Sequence, residues 1–190
     1  LLVIGLIGLP GAGKGECARI ANEAGAVIIS MGDIVRAHAK KLKLDNTDKS
    51  IGGMAHSERE KHGYGIWAKR TVEKIIEISA SSNSISIIAI DGIRGDTEVD
   101  VFKDAFKNDF KTVAVKMPGK RRFELLQNRK RSDAPMTWEE FQLRDERELK
   151  WGIQRAIDDA DYIILNTGTL EELEESFKEL LSFIQNDLED

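Results

Sequence analysis

The stretch Leu2-Val3-Ile4-Gly5-Leu6-Ile7-Gly8-Leu9-Pro10-Gly11-Ala12-Gly13-Lys14-Gly15-Glu16 decides the fold. Its opening run is continuously apolar, the mark of a parallel strand covered on both faces. Gly8 to Lys14 then meet the G-x-x-x-x-G-K pattern of a phosphate loop, between a strand and a helix start, where that pattern has physical meaning. The glycines let the backbone curl so that successive N–H groups point inward at phosphate oxygens. The helix N-terminus adds partial positive charge and Lys14 a full one. Gly8, Pro10, Gly11, Ala12, Gly13, Lys14, Gly15 and Glu16 are therefore the candidate nucleotide-binding residues, and Lys14 is also a candidate catalytic cation. The Ser/Thr that ordinarily follows the lysine and holds Mg²⁺ is Gly15 here. Glu16 reads either as a metal-related group or as an acidic residue of a first helical turn. Cys17 falls on the helix face toward the sheet and reads as structural.

Outward from this loop, short Val/Ile-rich runs alternate with longer helical patterns. The runs are Leu2–Ile7, Val27–Ile29, Ile85–Ile90, Thr112–Val115 and Tyr162–Leu165. The intervening segments are long enough for right-handed crossovers through helices. Leu170, Leu173, Phe177, Leu180, Leu181, Ile184 and Leu188 trace one face of a last helix, opened by a Thr169/Glu172 capping box, and Thr137/Glu140 starts another by the same device. The expected fold is an α/β three-layer sandwich with a five-stranded parallel sheet, a P-loop NTPase fold. The whole chain, 1–190, reads as one domain with a core of 1–30, 85–116 and 158–190. Two crossovers are too long for one helix and read as helical insertions: an acceptor-binding segment at about 31–84 and a lid at about 117–157.

The 190 residues are 41% hydrophobic and 32% charged, with a net charge of −5, which excludes a disordered chain. The acidic mean argues against a nucleic-acid partner. No apolar run approaches the roughly 18 residues of a membrane span, and the N-terminal run lacks the basic flank of a signal peptide, so a cytoplasmic protein with no membrane partner is expected. The single cysteine excludes an intrachain disulfide. The charge is uneven: Lys116 to Arg131 holds seven basic residues against one acid, and Glu171 to Asp190 eight acids against one lysine.

Three further segments carry chemistry. Val27-Ile28-Ile29-Ser30-Met31-Gly32-Asp33-Ile34-Val35-Arg36 is a strand running into a helix. Ile87-Ile88-Ala89-Ile90-Asp91-Gly92-Ile93-Arg94 is an apolar strand ending in an acid, as a Walker B segment does, so Asp91 is a candidate catalytic residue that orients Mg²⁺, through water. In the basic segment, Arg129, Arg131 and Arg144 are candidate catalytic lid arginines, with Arg122 next, because phosphoryl transfer spreads charge over equatorial oxygens that cations must meet. Some of that run is also simply a solvated helix face.

These residues resemble the P-loop nucleoside monophosphate kinase (adenylate kinase-like) superfamily. Its members carry G-x-P-G-x-G-K-G-T, then a strand ending S-T-G-D-hydrophobic-hydrophobic-R. Gly8, Pro10, Gly11, Gly13, Lys14 and Gly15 match the first motif; Ser30, Gly32, Asp33 and Arg36 match the second. Met31 and Glu16 stand where threonines do. A closer likeness, along almost the full chain, is to an uncharacterised archaeal adenylate-kinase-like, dephospho-CoA-kinase-related family. The resemblance implies ATP and Mg²⁺ as cofactors and Arg36, Arg94 and Asp33 as substrate-binding residues. Arg94 comes one residue earlier than the family's D-G-F-P-R arginine. Asn166-Thr167-Gly168-Thr169 resembles the loop whose backbone edges the nucleotide base, which makes Asn166 and Gly168 cofactor-binding; it equally reads as a turn capped by Thr169. No Asn-Lys-x-Asp guanine motif is present, and His38, His56 and His62 lack metal-ligand spacing.

The expected function is transfer of the ATP γ-phosphoryl group to a small nucleotide-like acceptor. The alternatives are dephospho-CoA-kinase-like transfer to a hydroxyl, with Asp33 as base, and a nucleotide-binding regulator with weak ATPase activity. The acceptor and the oligomeric state have no readable code.

Overall fold

The apolar strands at 2–7, 87–91 and 110–116 are covered on both faces, which is why they do not alternate. The run at 162–165, expected to be covered likewise, forms an edge strand that leaves Ile163 and Leu165 exposed. A computed structural model describes residues 1–45, 47–82, 84–128 and 137–187. Strands β1 (Leu2–Ile7), β2 (Val27–Ser30), β3 (Ile87–Asp91), β4 (Phe110–Lys116) and β5 (Tyr162–Leu165) form one parallel sheet in the order β2-β3-β1-β4-β5. Helices α1 (Lys14–Glu23) and α9 (Leu170–Asp187) cover one face, packing Cys17, Ile20, Leu173 and Phe177 against Ile4, Leu6, Ala89 and Val113. The other face carries α4 (Ile66–Ser81), α5 (Asp96–Phe106) and α8 (Ile153–Asp158). There Trp67, Ile75, Phe102 and Ile153 meet Val3, Ile7, Ile88 and Ile90. Each such fully buried side chain is worth roughly 1.5–3 kcal/mol, so the sheet is the energetic centre. Helices α2 (Met31–Lys41) and α3 (Asp48–His62) precede α4, and α6 (Gly119–Asn128) and α7 (Trp138–Lys150) precede α8. None of the described helices is long and apolar enough to cross a membrane.

Local chemistry sets the boundaries. The Ser30 hydroxyl caps α2 by accepting the Asp33 N–H at 3.3 Å. Both capping boxes form: Thr137 and Glu140 exchange bonds of 3.2 and 3.3 Å, and Thr169 and Glu172 of 2.7 and 3.2 Å.

Three further expectations shift. Strand β3 begins at Ile87 rather than Ile85, which packs against the core from outside the sheet, while the Ser86 carbonyl accepts the Leu2 N–H. Strand β4 starts two residues before Thr112 and runs one past Val115. Polar Lys111 and Thr112 hide it in the sequence, yet buried Thr112 is satisfied by Asp161, whose carboxylate accepts its N–H at 2.7 Å and its hydroxyl at 2.6 Å. Leu170, read as part of the apolar face of α9, is exposed at the helix's first residue; Leu188 lies outside the described residues.

Candidate functional site

Strand β1 ends at Ile7, and the chain turns at once. Gly8 has φ +153°, and a Cβ there would stand 2.5 Å from the Val115 carbonyl oxygen. Gly13, at φ +114°, would place one 2.6 Å from Asn166 Nδ2. The loop thus needs glycine for both its hand and its close packing. Two side chains from distant segments hold it. Asn166, buried after β5, donates to the Ala12 carbonyl at 2.9 Å, and Arg122 of α6 donates to the Pro10 carbonyl at 3.1 Å. Lys14 curls back over the loop, donating to the carbonyls of Gly8 at 2.6 Å and Leu9 at 3.2 Å. Burial lowers its ammonium pKa below the usual lysine value; the nearby carboxylates of Asp91 and Glu148 oppose that shift, and Arg94 and Arg122 add to it.

The charges named around Lys14 come from three elements. Asp91 ends β3, in register with Leu6 of β1 and Ser30 of β2, so its carboxylate stands at the strand tips beside the loop. Helix α7 supplies two carboxylates from one face. Asp145 holds the buried guanidinium of Arg122 through both oxygens, at 2.9 and 2.5 Å. Glu148, also buried, accepts from Arg94 at 3.0 Å. Arg122 is thereby fixed between the loop and α7, with its guanidinium 4.8 Å from the Phe141 ring centroid.

Beside Asp91 lies a cavity of about 550 Å³, bordered by Met31, Arg36, Arg59, Trp67, Arg94, Glu98 and Trp151 among others. Arg36 and Arg94 thus share a space to which α3 adds Arg59. The guanidiniums of Arg59 and Arg94 each lie 5.5 Å from the Trp151 ring centroid. Glu98 is buried beneath them, accepting the Arg94 backbone N–H at 2.8 Å and Arg59 Nη2 at 3.4 Å. Burial pushes its carboxyl pKa above the usual value, against the pull of those donors. Three arginines and one carboxylate line the cavity, an arrangement suited to an anion, and its two indoles offer flat apolar surface.

The remaining candidates fall as follows. Asp33 does not line the cavity; it is mostly exposed and accepts from Arg36 Nη2 at 2.6 Å. Glu16 pairs with Arg19 at 2.5 Å. Gly15 is exposed, with open space where a Cβ would be. The carbonyls of Thr167 and Gly168 accept from Arg121, which ties the start of α6 to the β5–α9 loop. Arg144 is half-buried on α7, one turn before Glu148. Arg129 and Arg131 lie outside the described residues. Among the described residues no cluster of three or more His, Cys, Asp or Glu side chains could hold a metal alone. Cys17 is fully buried, and burial pushes its thiol up to about 12.

Sequence reading missed Arg59, Glu98, Asp145, Glu148 and Trp151. Asp145 and Glu148 at i and i+3 beside Phe141 trace one helix face, a signal that was available. Arg59 had none, since its place depends on how α3 folds back.

Among known proteins, residues 7–142 match the AAA domain family. A UPF0200 protein of Methanoculleus marisnigri is 38% identical over 179 residues, which cover 94% of this chain and 94% of that protein. The UPF0200/UPF0201 protein of Archaeoglobus fulgidus is 38% identical over 187 residues, covering 98% of this chain. This chain spans only 57% of that relative's length. Among solved structures, a gluconokinase from Sinorhizobium meliloti aligns with a TM-score of 0.63 at 14% identity, over 98% of this chain and 95% of that one. A shikimate kinase from Acinetobacter baumannii, in complex with shikimate, aligns at 0.56 and 19% identity over 95% and 93%. At such identities the likeness is one of fold, and the fold is that of P-loop kinases. On its sequence matches the chain belongs to the UPF0200 family and, through residues 7–142, to the AAA domain family.

Proposed function

We propose that the protein is an ATP-dependent kinase that transfers the γ-phosphoryl group to a small, phosphate-bearing, nucleotide-like acceptor. The observation that carries this reading is the charge group of Lys14 with Asp91, Glu148 and Arg94, the last of which also borders a cavity with Arg36 and Arg59. In this reading ATP lies along Gly8–Glu16, with Asn166 and Gly168 at the base end. Segments 31–84 and 117–157 form the acceptor side and the lid, and the setting is the cytoplasm.

The arginines hold the acceptor phosphate, and one of its oxygens attacks Pγ in line. A bond forms between that oxygen and Pγ as the bond from Pγ to the β-phosphate oxygen breaks, and ADP leaves with the electron pair. The phosphate acceptor is already anionic, so no general base is required. Lys14 follows the transferring group, Arg144 and the lid residues Arg129 and Arg131 add positive charge, and Arg122 keeps the loop in place. Mg²⁺ fits the donor set only as an ion held chiefly by phosphate oxygens and water, with Asp91 as the protein's contribution and open space at Gly15. When bound it neutralises charge between the phosphates.

Transfer to a hydroxyl is the second reading, favoured by the fold shared with gluconokinase and shikimate kinase. It needs a carboxylate at the acceptor, and Asp33 turns instead to Arg36. The test is ADP release over a panel of nucleoside monophosphates and dephospho-CoA. At least tenfold stimulation by a monophosphate, retained in Asp33→Asn, supports the proposal. Stimulation by dephospho-CoA alone, lost in Asp33→Asn, transfers it to the hydroxyl reading. Flat release with tight ATP binding leaves a nucleotide-binding regulator.

A further inference from the structure

The anion-binding surface does not end at Arg36. A second cleft of about 560 Å³ opens beyond it, lined by Arg36, Ala39, Lys40, Lys43, Leu44 and Ile51, and Arg36 and Ile51 border both spaces. Among the described residues no acidic side chain lines the outer cleft. Arg36 and Lys40, at i and i+4, share a side of α2 about 6 Å apart along the axis, and Lys43, in the turn that ends the helix, lines the same cleft. Among the described residues Arg36 pairs with Asp33, while Lys40 and Lys43 take part in no ion pair.

The turn itself supplies an independent observation. Helix α2 closes with the Leu44 N–H on the Ala39 carbonyl at 3.1 Å and the Lys43 N–H on the Lys40 carbonyl at 3.0 Å. Lys43 has φ +56°. That place in such a closure favours glycine, because a left-handed backbone costs other residues free energy. A lysine there keeps a charged side chain on the cleft wall where the backbone alone would favour none.

We infer that the acceptor carries two anionic groups, the first held in the inner cavity by Arg59 and Arg94, and the second, a phosphate, held in the outer cleft by Arg36, Lys40 and Lys43. The substrate class is then a nucleoside bisphosphate or a similar small molecule with phosphates on separate positions, rather than a simple monophosphate. The inference rests on the reading of the inner cavity as the acceptor site.

The experiment is calorimetric titration of AMP and of adenosine 3′,5′-bisphosphate into protein saturated with a non-hydrolysable ATP analogue, which fills the donor site. Wild type is expected to bind the bisphosphate at least tenfold more tightly than AMP. The exposed double variant Lys40→Gln/Lys43→Gln is expected to lose about tenfold in bisphosphate affinity, with AMP and ATP-analogue binding within twofold of wild type. A control, Lys103→Gln/Lys178→Gln, removes two exposed charges elsewhere and is expected to change nothing. Equal affinity for the two ligands, equal losses for both in the α2 variant, or the same loss in the control overturns the inference while leaving a monophosphate site intact. Binding of the ATP analogue with neither acceptor probe overturns the inner-cavity reading as well.

Discussion

Glu148 and Arg94, 54 residues apart in the chain, meet at 3.0 Å in a pair whose carboxylate is buried and whose guanidinium is half exposed. Three residues earlier on the same helix, Asp145 clasps Arg122, which in turn holds the Pro10 carbonyl. One face of α7 thus acts on the glycine loop through Arg122 with one carboxylate and on the arginine-lined cavity through Arg94 with the other. A shift of α7 would be felt at both. The half-exposed arginine has little besides Glu148 and the Trp151 ring to keep it in the cavity.

Glu148→Gln preserves the shape but removes the charge that positions Arg94. With Arg94 half exposed, the lost coupling is on the order of 1–2 kcal/mol, about a tenfold fall in kcat/KM for the acceptor. ATP affinity is expected to change less, about threefold or under, because Glu148 acts on the loop only through its charge near Lys14 and holds none of its backbone. Steady-state kinetics with each substrate varied separately check this, and equal losses for both substrates would assign Glu148 a general structural role.

Asp145→Asn acts at the other end. Arg122 is 5% exposed, and without the carboxylate its charge is left buried among neutral partners only, the Met117 and Pro10 carbonyls, the Phe141 ring and the new amide. Breaking a buried pair from one side costs about 3–5 kcal/mol. The variant is expected to unfold at clearly lower denaturant concentration and to bind ATP more weakly through a loosened Pro10, in contrast to Glu148→Gln. Equilibrium unfolding compared with nucleotide titration separates the two effects.

These two carboxylates also mark where the sequence stopped being legible. The strand positions rest on continuous apolar runs, and the phosphate loop on a spacing that only a strand–turn–helix satisfies, so both could be read locally, whereas the order β2-β3-β1-β4-β5 could not. Both capping boxes were legible locally as well, since each joins residues three apart. Arg36 and Arg94 carried a family spacing, and they do border one cavity. Arg59 reaches that cavity only through the placement of α3, and Glu148 reaches Arg94 only through the placement of α7, relations no local pattern encodes. Strand β4 was shortened because a buried threonine looks polar until Asp161 is seen bonding to it.

Lys14→Met tests the cost of the cation to which catalysis is assigned in the proposed function. Burial disfavours the charged form in the folded protein, so the folded lysine releases its proton at lower pH than the unfolded chain does. Between the folded pKa and the usual lysine value the unfolded state binds more protons, and stability rises with pH. Below that window wild type carries the whole penalty. The variant is therefore expected to show a higher Tm than wild type at neutral pH, the gap narrowing toward roughly pH 10. ADP release should fall by about 10³-fold or more. Thermal melts across pH with parallel assays check both halves, and a variant less stable than wild type at neutral pH would contradict the burial argument.

Cys17 offers a measurement that needs no acceptor. It lies in the first turn of α1, its N–H bonded to the Gly13 carbonyl at 3.2 Å. The thiol is fully buried against the sheet and pushed up to about 12, so almost none is thiolate at pH 8. Labelling by a thiol reagent must then wait for the protein to open and is expected to run at least about 10³-fold slower than in denaturant. ATP bound along the adjoining loop stabilises the closed state by mass action. Nucleotide at 100 times its Kd should slow labelling by about a further hundredfold. Rapid labelling of the native protein would contradict the packing of α1 on the sheet. Slow labelling that ATP leaves unchanged would separate α1 from nucleotide binding, and with it the role given to Gly8–Glu16.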